Sequence, residues 1–285
     1  ASDVYKRQHL EEDAGKSIHE GMAGTGVDLN RAGTPLLEIV SEPEISSAKE
    51  AVAYMKALHQ IVTFLDVSDG NMSQGSLRCD ANVSVRKKGD KELGTRTEIK
   101  NINSFRFIEK AINYEIERQI DVIESGESVT QETRLYDSIR NETRPMRSKE
   151  FANDYRYFPD PDLLPVMISD EEIEEIKAAF PEMPKDKFVR YQSEFKIPEN
   201  DAQIISSSKN LATFFEECME NAKDSKLLSN LLIGDISSLL NKENIEITDS
   251  KLSTKNVSEI VNLVTEGVIS GKIAKTVLEE TWDSG

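Results

Sequence analysis

The sequence predicts an α+β protein in which a mixed region of strands and helices is followed by an all-helical region. Residues 9–165 combine short strand-like runs with Gly-containing turns and two amphipathic helical patterns, whereas every pattern after Ser169 is helical. A Pro-rich stretch at 159–165 separates the two textures and marks the expected domain boundary. Residues 1–8 fit neither pattern, and we interpret them as a processing or sequencing scar outside the fold.

The elements of the first region follow in chain order. The apolar run at 35–40 is typical of a buried strand. Ser47 and Glu50 have the spacing of a capping box, and the helix that they begin continues to Leu65. A strand pair is expected at 76–85 and 95–100, and a second helix begins near Ser104 and ends before Gly126.

The second region, residues 166–285, is expected to contain only helices. Ser169 and Glu172 form another capping box, and prolines separate the short helices that follow. Further helical patterns cover residues 211–221, 226–240, 257–266 and 273–280.

Composition excludes several classes of protein. The 285 residues are 38% hydrophobic and 31% charged, and no window approaches 18 uninterrupted apolar residues, which argues against a membrane span. Two cysteines are too few for a disulfide framework or a four-cysteine zinc site, so we expect an intracellular chain. The formal charge is -17, and residues 151–250 hold 21 acidic but only 10 basic side chains. Any contact with RNA should therefore be local.

The predicted strand pair carries the strongest candidate site. Leu77, Cys79, Ala81 and Val83 alternate with polar residues, so one face is apolar and the other charged. Two interpretations are open: a solvated outer face of an antiparallel sheet, or a site for a polyanion held with a metal ion. The polar face consists of Arg78, Asp80, Asn82, Ser84, Arg96, Glu98 and Lys100.

Glu38 is the second unusual feature, because it lies inside the apolar run at 35–40. A buried carboxylate is unfavourable unless it is paired or binds a cation. Either an ion pair with Arg31 or a cation shared with the acidic cluster at 11–13 would satisfy it. The three histidines show no ligand spacing with cysteine, so we expect surface or packing roles for them, including His9.

Five ordered motifs resemble one protein family. They are HLEEDAGK at 9–16, DLNRAGTPLLEIVSEP at 28–43, SLRCDANVS at 76–84, TEIKNINSF at 97–105, and MRSK at 146–149 with DYRYFPDPDL at 154–163. Together they are similar to the GatB family of aspartyl/glutamyl-tRNA amidotransferase components, over essentially all of residues 9–285.

The resemblance implies a fold and an activity. The fold would be a catalytic cradle of the glutamine synthetase and guanido kinase type, then a helical domain and the start of a YqeY-like tail. The activity would be that of a glutamine-dependent carbon–nitrogen ligase, which uses ATP and Mg²⁺ to phosphorylate the carboxylate of misacylated Glu-tRNA(Gln) or Asp-tRNA(Asn). Ammonia from an amidase-type A subunit would then displace the phosphate, with a small C subunit completing the heterotrimer.

The resemblance also implies roles for single residues. Glu12 and Glu38 would be magnesium ligands, and Arg31, Arg78 and Lys100 would bind the nucleotide. The family's N-terminal metal-binding segment and most of its tail domain have no counterpart here, so we expect this stretch alone not to complete the reaction. The acyl-phosphate site would be lined by Arg78, Asp80, Asn82, Arg96, Glu98 and Lys100.

The alternative function is that of a non-catalytic RNA-binding or assembly module. A cytoplasmic or organellar-matrix location is expected, and no membrane contact.

Overall fold

The computed structural model describes residues 5–18, 26–148 and 167–284. They fall into two units, one formed by Ala1–Lys56 with Arg78–Glu150 and the other by Ala57–Leu77 with Phe151–Gly285. The domain boundary predicted at 159–165 lies outside the described residues. Within those residues, no helix has both the length and the apolar character that crossing a bilayer requires.

The first unit begins with two small antiparallel ribbons. Strand β1 (Tyr5–Glu12) pairs with β4 (Pro35–Ser41), and β2 (Lys16–Ile18) pairs with β3 (Gly26–Asp28). Residues 5–8, which were expected to lie outside the fold, thus form the first half of β1. Strand pairing satisfies the backbone groups that face the partner strand, but a two-stranded ribbon leaves side chains on both faces accessible to water.

The prediction of a buried strand at 35–40 is wrong for this reason. The Glu38 side chain is 47% exposed, and Leu10, on the opposite face of the ribbon, is 82% exposed. Apolar composition indicated a strand correctly, but it did not indicate how many layers cover that strand.

A four-stranded sheet completes the first unit. Its order is β5 (Cys79–Val83), β6 (Thr97–Ile102), β7 (Glu132–Asp137) and β8 (Glu142–Ser148). The predicted pairing of β5 with β6 is confirmed, and so is the antiparallel direction of that pair. The central pair, β6 with β7, is instead parallel, which corrects the expectation of a purely antiparallel sheet. The long helix between these two strands supplies the crossover that a parallel pair needs.

Both helices predicted before residue 165 are present. Helix α1 (Ala48–Phe64) begins where the Ser47 hydroxyl accepts from the Glu50 amide at 3.2 Å. The Glu50 carboxylate accepts in turn from the Ser46 amide at 2.7 Å, one residue before the expected capping partner. Helix α2 (Phe105–Glu124) begins at the Ser104 cap.

A buried carboxylate joins α2 to the sheet. Glu115 is fully buried, and its oxygens accept from the hydroxyls of Thr97 at 2.7 Å and Thr143 at 2.8 Å. Arg118 donates to the same carboxylate at 2.6 Å, and the Arg134 guanidinium lies 3.5 Å away. Burial alone would raise the pKa of Glu115, but these donors outweigh it and lower the pKa below its usual value.

The described part of the second unit is helical, as predicted. The Ser169–Glu172 capping box is confirmed at the start of α3. The expected helix at 226–240 is present as α7 and α8 with one π-helical turn between them at Leu232–Ile236. The complete set is α3 (Asp170–Ala179), α4 (Pro184–Ser193), α5 (Glu199–Ser207), α6 (Lys209–Met219), α7 (Ser225–Leu231), α8 (Ser237–Glu243), α9 (Thr254–Thr265) and α10 (Gly271–Ser284).

The core of this second unit is aromatic and aliphatic. The Tyr191 and Phe215 rings lie 5.2 Å apart between centroids, and Trp282 donates to the Glu243 carboxylate at 2.9 Å. Beside this core, Glu216 accepts from Lys187 at 2.6 Å and from the Tyr191 hydroxyl at 2.8 Å. These contacts join α4 to α6, so the partly buried charges stabilise helix packing rather than forming an open site.

Replacement of Glu115 by Gln should destabilise the first unit. The substitution removes the carboxylate that Arg118 contacts and one of the two that Arg134 contacts, and breaking a buried pair costs about 3–5 kcal/mol. Hydrogen exchange of the α2 and β6 amides would measure the loss locally. Glu117→Gln is the matched control, because Glu117 is exposed on the same helix and should change stability by less than about 0.5 kcal/mol.

The difference in stability between wild type and Glu115→Gln should depend on pH. The pKa of Glu115 is lower in the folded chain than in the unfolded chain, so its contribution is complete above about pH 4.3 and is lost as the pH falls through the folded-state value. The stability gap between wild type and Glu115→Gln should therefore narrow only below that pH. A gap that narrows between pH 6 and 8 would contradict this account.

Candidate active site

The first group of candidate residues lies on one face of the β1–β4 ribbon. His9 pairs directly with Glu38 in the register, so the two side chains share a face, and Glu11 shares it because alternate residues of a strand point the same way. The His9 Nδ1 atom lies 3.6 Å from a carboxylate oxygen of Glu11 and 3.6 Å from one of Glu38. One ligand atom from each residue lies within 4.8 Å of the others, which suits a bound cation.

Glu12 does not belong to this group. It is opposite Pro35 in the register and follows Glu11 directly, so its side chain leaves the other face of the ribbon. The expected convergence of Glu12 with Glu38 is therefore not made here. His9, for which a surface or packing role is expected, is the residue that faces Glu38.

The second group is centred on Asp13, just after β1. Its Oδ2 atom accepts from Arg31 Nε at 3.0 Å and from Arg78 Nη2 at 3.0 Å. Burial would raise the pKa of Asp13, but the two arginines lower it below its usual value, so the carboxylate stays ionised. The alternative in which Arg31 neutralises Glu38 is not what the structure shows, because the Arg31 guanidinium is directed to Asp13.

The third group lies on the outer face of β5 and β6, where the sequence predicted it. Lys100 Nζ contacts Asp80 at 2.5 Å and Glu98 at 3.5 Å. Burial would lower the pKa of Lys100, but the hydrogen bond to Asp80 and the charges of both carboxylates raise it, so the ammonium group is retained at neutral pH. Thr133 on β7 holds the other oxygen of Glu98 at 2.9 Å.

Asn82 and Arg96 complete this outer face. Asn82 is opposite Glu98 in the register. Arg96 precedes β6 and is exposed, and in the part of the chain that the structure describes its guanidinium has no ion-pair partner. An exposed arginine without a carboxylate keeps its full set of N–H donors for an anionic ligand.

The chain connects the three groups at short intervals. Glu11 of the cation cluster lies two residues before Asp13, and Arg78 lies two residues before Asp80. The Asp13–Arg78 ion pair therefore joins the end of β1 to the start of β5. All three groups belong to the first unit, where they offer cation ligands beside donors suited to phosphate oxygens.

Sequence reasoning missed the contacts that four of these residues make, although it considered Glu11 and Asp13 as part of the acidic cluster at 11–13. His9 and Glu11 carried a signal, since an i, i+2 pair on a strand shares a face, but the register that adds Glu38 is not local information. Asp13 carried no signal beyond its place in an acidic cluster. Thr133 is a common residue in a strand, and only the parallel pairing of β6 with β7 brings it to Glu98.

Comparisons with known proteins agree with the resemblance noted from the motifs. The family described as GatB/GatE catalytic domain matches residues 4–174, and the family described as GatB domain matches residues 213–285. The B subunit of the aspartyl/glutamyl-tRNA(Asn/Gln) amidotransferase of Hahella chejuensis is 57% identical over 278 residues, which are 97% of this chain and 58% of that protein. The corresponding protein of Pseudomonas syringae pv. tomato, which has the same name, is 60% identical over 274 residues, 96% of this chain and 57% of its own length.

The chain thus spans about 58% of the length of the curated relatives it matches. The catalytic-domain match covers more than half of the chain and includes all three groups of candidate residues. The chain belongs to the GatB/GatE catalytic-domain family.

Proposed function

We propose that this chain carries part of the site at which a tRNA-bound glutamate or aspartate is converted to its amide. The relatives at 57% and 60% identity are named as a component of an amidotransferase for Asp- and Glu-tRNA. The observation that carries the proposal is the combination, within one unit, of the His9–Glu11–Glu38 cluster with the basic residues Arg78 and Lys100.

The chemistry explains why such a combination is useful. A carboxylate reacts poorly with ammonia, because an oxide is a poor leaving group. Transfer of the γ-phosphoryl group of ATP to that carboxylate gives an acyl phosphate and ADP; ammonia then attacks the acyl carbon, and phosphate leaves as the amide forms. Charge on the phosphoryl oxygens must be balanced throughout, and this is the main task of the protein in phosphoryl transfer.

The residues of this chain would share that task. Arg31, Arg78 and Lys100 would contact the phosphates of ATP, and Arg96, with no carboxylate partner in the described part of the chain, is suited to the transferred group. Asp80 and Glu98 hold the Lys100 ammonium group in place. Asn82 would offer an uncharged donor and acceptor beside them.

A divalent cation fits the His9–Glu11–Glu38 cluster. Two carboxylate oxygens and an imidazole nitrogen, all within 4.8 Å of one another, would supply three of the six ligands that Mg²⁺ takes. Mg²⁺ would supply neutralisation of phosphate charge there, and the imidazole also allows Mn²⁺ to bind. This ligand set replaces the pair of Glu12 and Glu38 that the family resemblance suggested.

The wider assembly is part of the same proposal. We expect a cradle of the glutamine synthetase and guanido kinase type in the first unit, and a helical region with a YqeY-like tail after residue 165. An amidase-type A subunit would supply the ammonia, a small C subunit would complete the heterotrimer, and misacylated tRNA would be the substrate. The expected location is the cytoplasm or an organellar matrix.

Titration with Mn²⁺, followed by electron paramagnetic resonance of the free ion, tests the cation site. Glu38→Gln and His9→Asn should each weaken binding by about tenfold or more, because each removes one of three protein ligands. Glu12→Gln is the matched control and should bind Mn²⁺ as wild type does, since Glu12 lies on the other face of the ribbon. Equal losses in the Glu12 and Glu38 variants would contradict the assignment.

The activity is tested in the full-length protein assembled with its amidase-type and small partner subunits. Glu38→Gln should lower ATP-dependent formation of Gln-tRNA(Gln) by about a hundredfold. The loss should be the same with glutamine or ammonium chloride as nitrogen donor, because the proposed cation acts in the phosphorylation step, before ammonia attacks. Glu42→Gln is the control, since Glu42 pairs with the exposed Lys6 at 3.5 Å and should retain activity.

The alternative function predicts a different pattern. If the chain is a non-catalytic RNA-binding or assembly module, the assembled enzyme that carries Glu38→Gln should keep its turnover. The substitution would then weaken only tRNA binding or subunit association. Unchanged turnover in this variant would therefore remove the cluster from the mechanism.

A further inference from the structure

Asp13 has an unusual electrostatic position. Two guanidinium groups, those of Arg31 and Arg78, donate to the same oxygen atom, Oδ2, at 3.0 Å each. The Asp13 side chain is only 9% exposed, whereas the two arginines are 33% and 45% exposed. The carboxylate is thus covered by groups that themselves reach the solvent.

The backbone prevents this carboxylate from moving. The Asp13 amide donates to the Thr34 carbonyl at 2.8 Å, and the Gly33 amide donates to the Asp13 carbonyl at 2.9 Å. Gly33 has a φ of 76°, which glycine adopts without strain, so the turn can close against Asp13. The second carboxylate oxygen, Oδ1, accepts from the Ala14 amide at 3.1 Å.

Two guanidinium groups that converge on one atom repel each other, and the shared carboxylate compensates for that repulsion. The group of three keeps a net charge of +1. Arg31 donates through Nε and Arg78 through one Nη2 hydrogen, so most of their N–H groups remain available on the exposed side. Such a preorganised pair binds a phosphate without first having to bring two cations together.

We propose that Asp13 is a positioning residue that sets Arg31 and Arg78 as one phosphate-binding pair. This inference rests on the proposed function, in which both arginines contact the nucleotide. The Asp13–Arg78 ion pair also links the chain segment that contains Glu11 to the one that contains Asp80. It acts through the arginines and contacts no substrate itself.

Steady-state kinetics of the assembled full-length enzyme test the proposal. Asp13→Asn should raise the KM for ATP by about tenfold while kcat falls less than about threefold, because the arginines are still present but no longer held. Asp13→Glu keeps the charge and should restore the KM to within about threefold of wild type. Asp137→Asn is the matched control, since Asp137 holds Arg144 at 2.5 Å and accepts from two backbone amides but takes no part in the site.

A purely structural role would give a different result. It would lower the melting temperature and the active fraction of Asp13→Asn without changing the KM for ATP, and that outcome overturns the proposal. In an Arg78→Gln background, the effect of Asp13→Asn on KM should shrink, since part of what Asp13 positions is already gone. Equal effects in both backgrounds would also overturn it.

The inference and the proposed function fail in distinguishable ways. If Arg31→Gln and Arg78→Gln leave the KM for ATP unchanged, the nucleotide role of the arginines is wrong. If they raise it while Asp13→Asn does not, only the positioning role is wrong. Should Asp13→Asn not fold, the Arg31→Gln and Arg78→Gln pair keeps the test: their effects should be non-additive, and additive effects would contradict a shared anchor.

Discussion

The carboxylate of Glu115 lies fully buried between α2 and the four-stranded sheet, and the arrangement of that sheet depends on it. Thr97 from β6 and Thr143 from β8 donate to it, Arg134 from β7 is its ion-pair partner, and Gln119 of α2 reaches the Val83 carbonyl of β5. A buried carboxylate is stable only when its acceptor positions are filled, so this network fixes the position of every strand relative to one helix. The outer face of the same strands carries Asp80, Asn82, Glu98 and Lys100.

Arg134 of the sheet and the two arginines beside Asp13 differ in how many of their N–H donors the protein itself uses. On the inner face, Arg134 donates to Glu132 and to both oxygens of Thr143, so its guanidinium is fully engaged and buried. In the candidate site, Arg31 and Arg78 share a single carboxylate oxygen and remain partly exposed. An arginine can contribute to ligand binding only with donors that the protein itself has not used, and Arg31 and Arg78 keep such donors whereas Arg134 does not.

The structural features that depend on neighbouring residues in the chain were predicted correctly from the sequence. Capping residues fixed the starts of α2 and α3, and strict alternation correctly divided the β5 strand into an apolar and a polar face. The parallel pairing of β6 with β7 was missed because strand partners far apart in the chain have no local signature. The exposure of Glu38 was missed for a related reason: residue composition suggests a strand, whereas burial depends on what packs against it. The polar face was therefore identified, and the partners of Glu38 were not.

The register of β1 against β4 is the geometric link between the cation cluster and the arginines. Within β1, His9 and Glu11 face one side of the ribbon and Glu12 faces the other. A register slip of one residue would therefore turn His9 and Glu11 away from Glu38 and bring Glu12 to the face of Glu38. Asp13 is the first residue after β1, and its amide donates to the Thr34 carbonyl while its carbonyl accepts from the Gly33 amide. One short strand thus carries His9 and Glu11 and ends next to Asp13, which pairs with Arg31 and Arg78. A displacement of β1 along β4 would move His9, Glu11 and the main chain of Asp13 together, because backbone hydrogen bonds hold all three to the chain segment at 33–38.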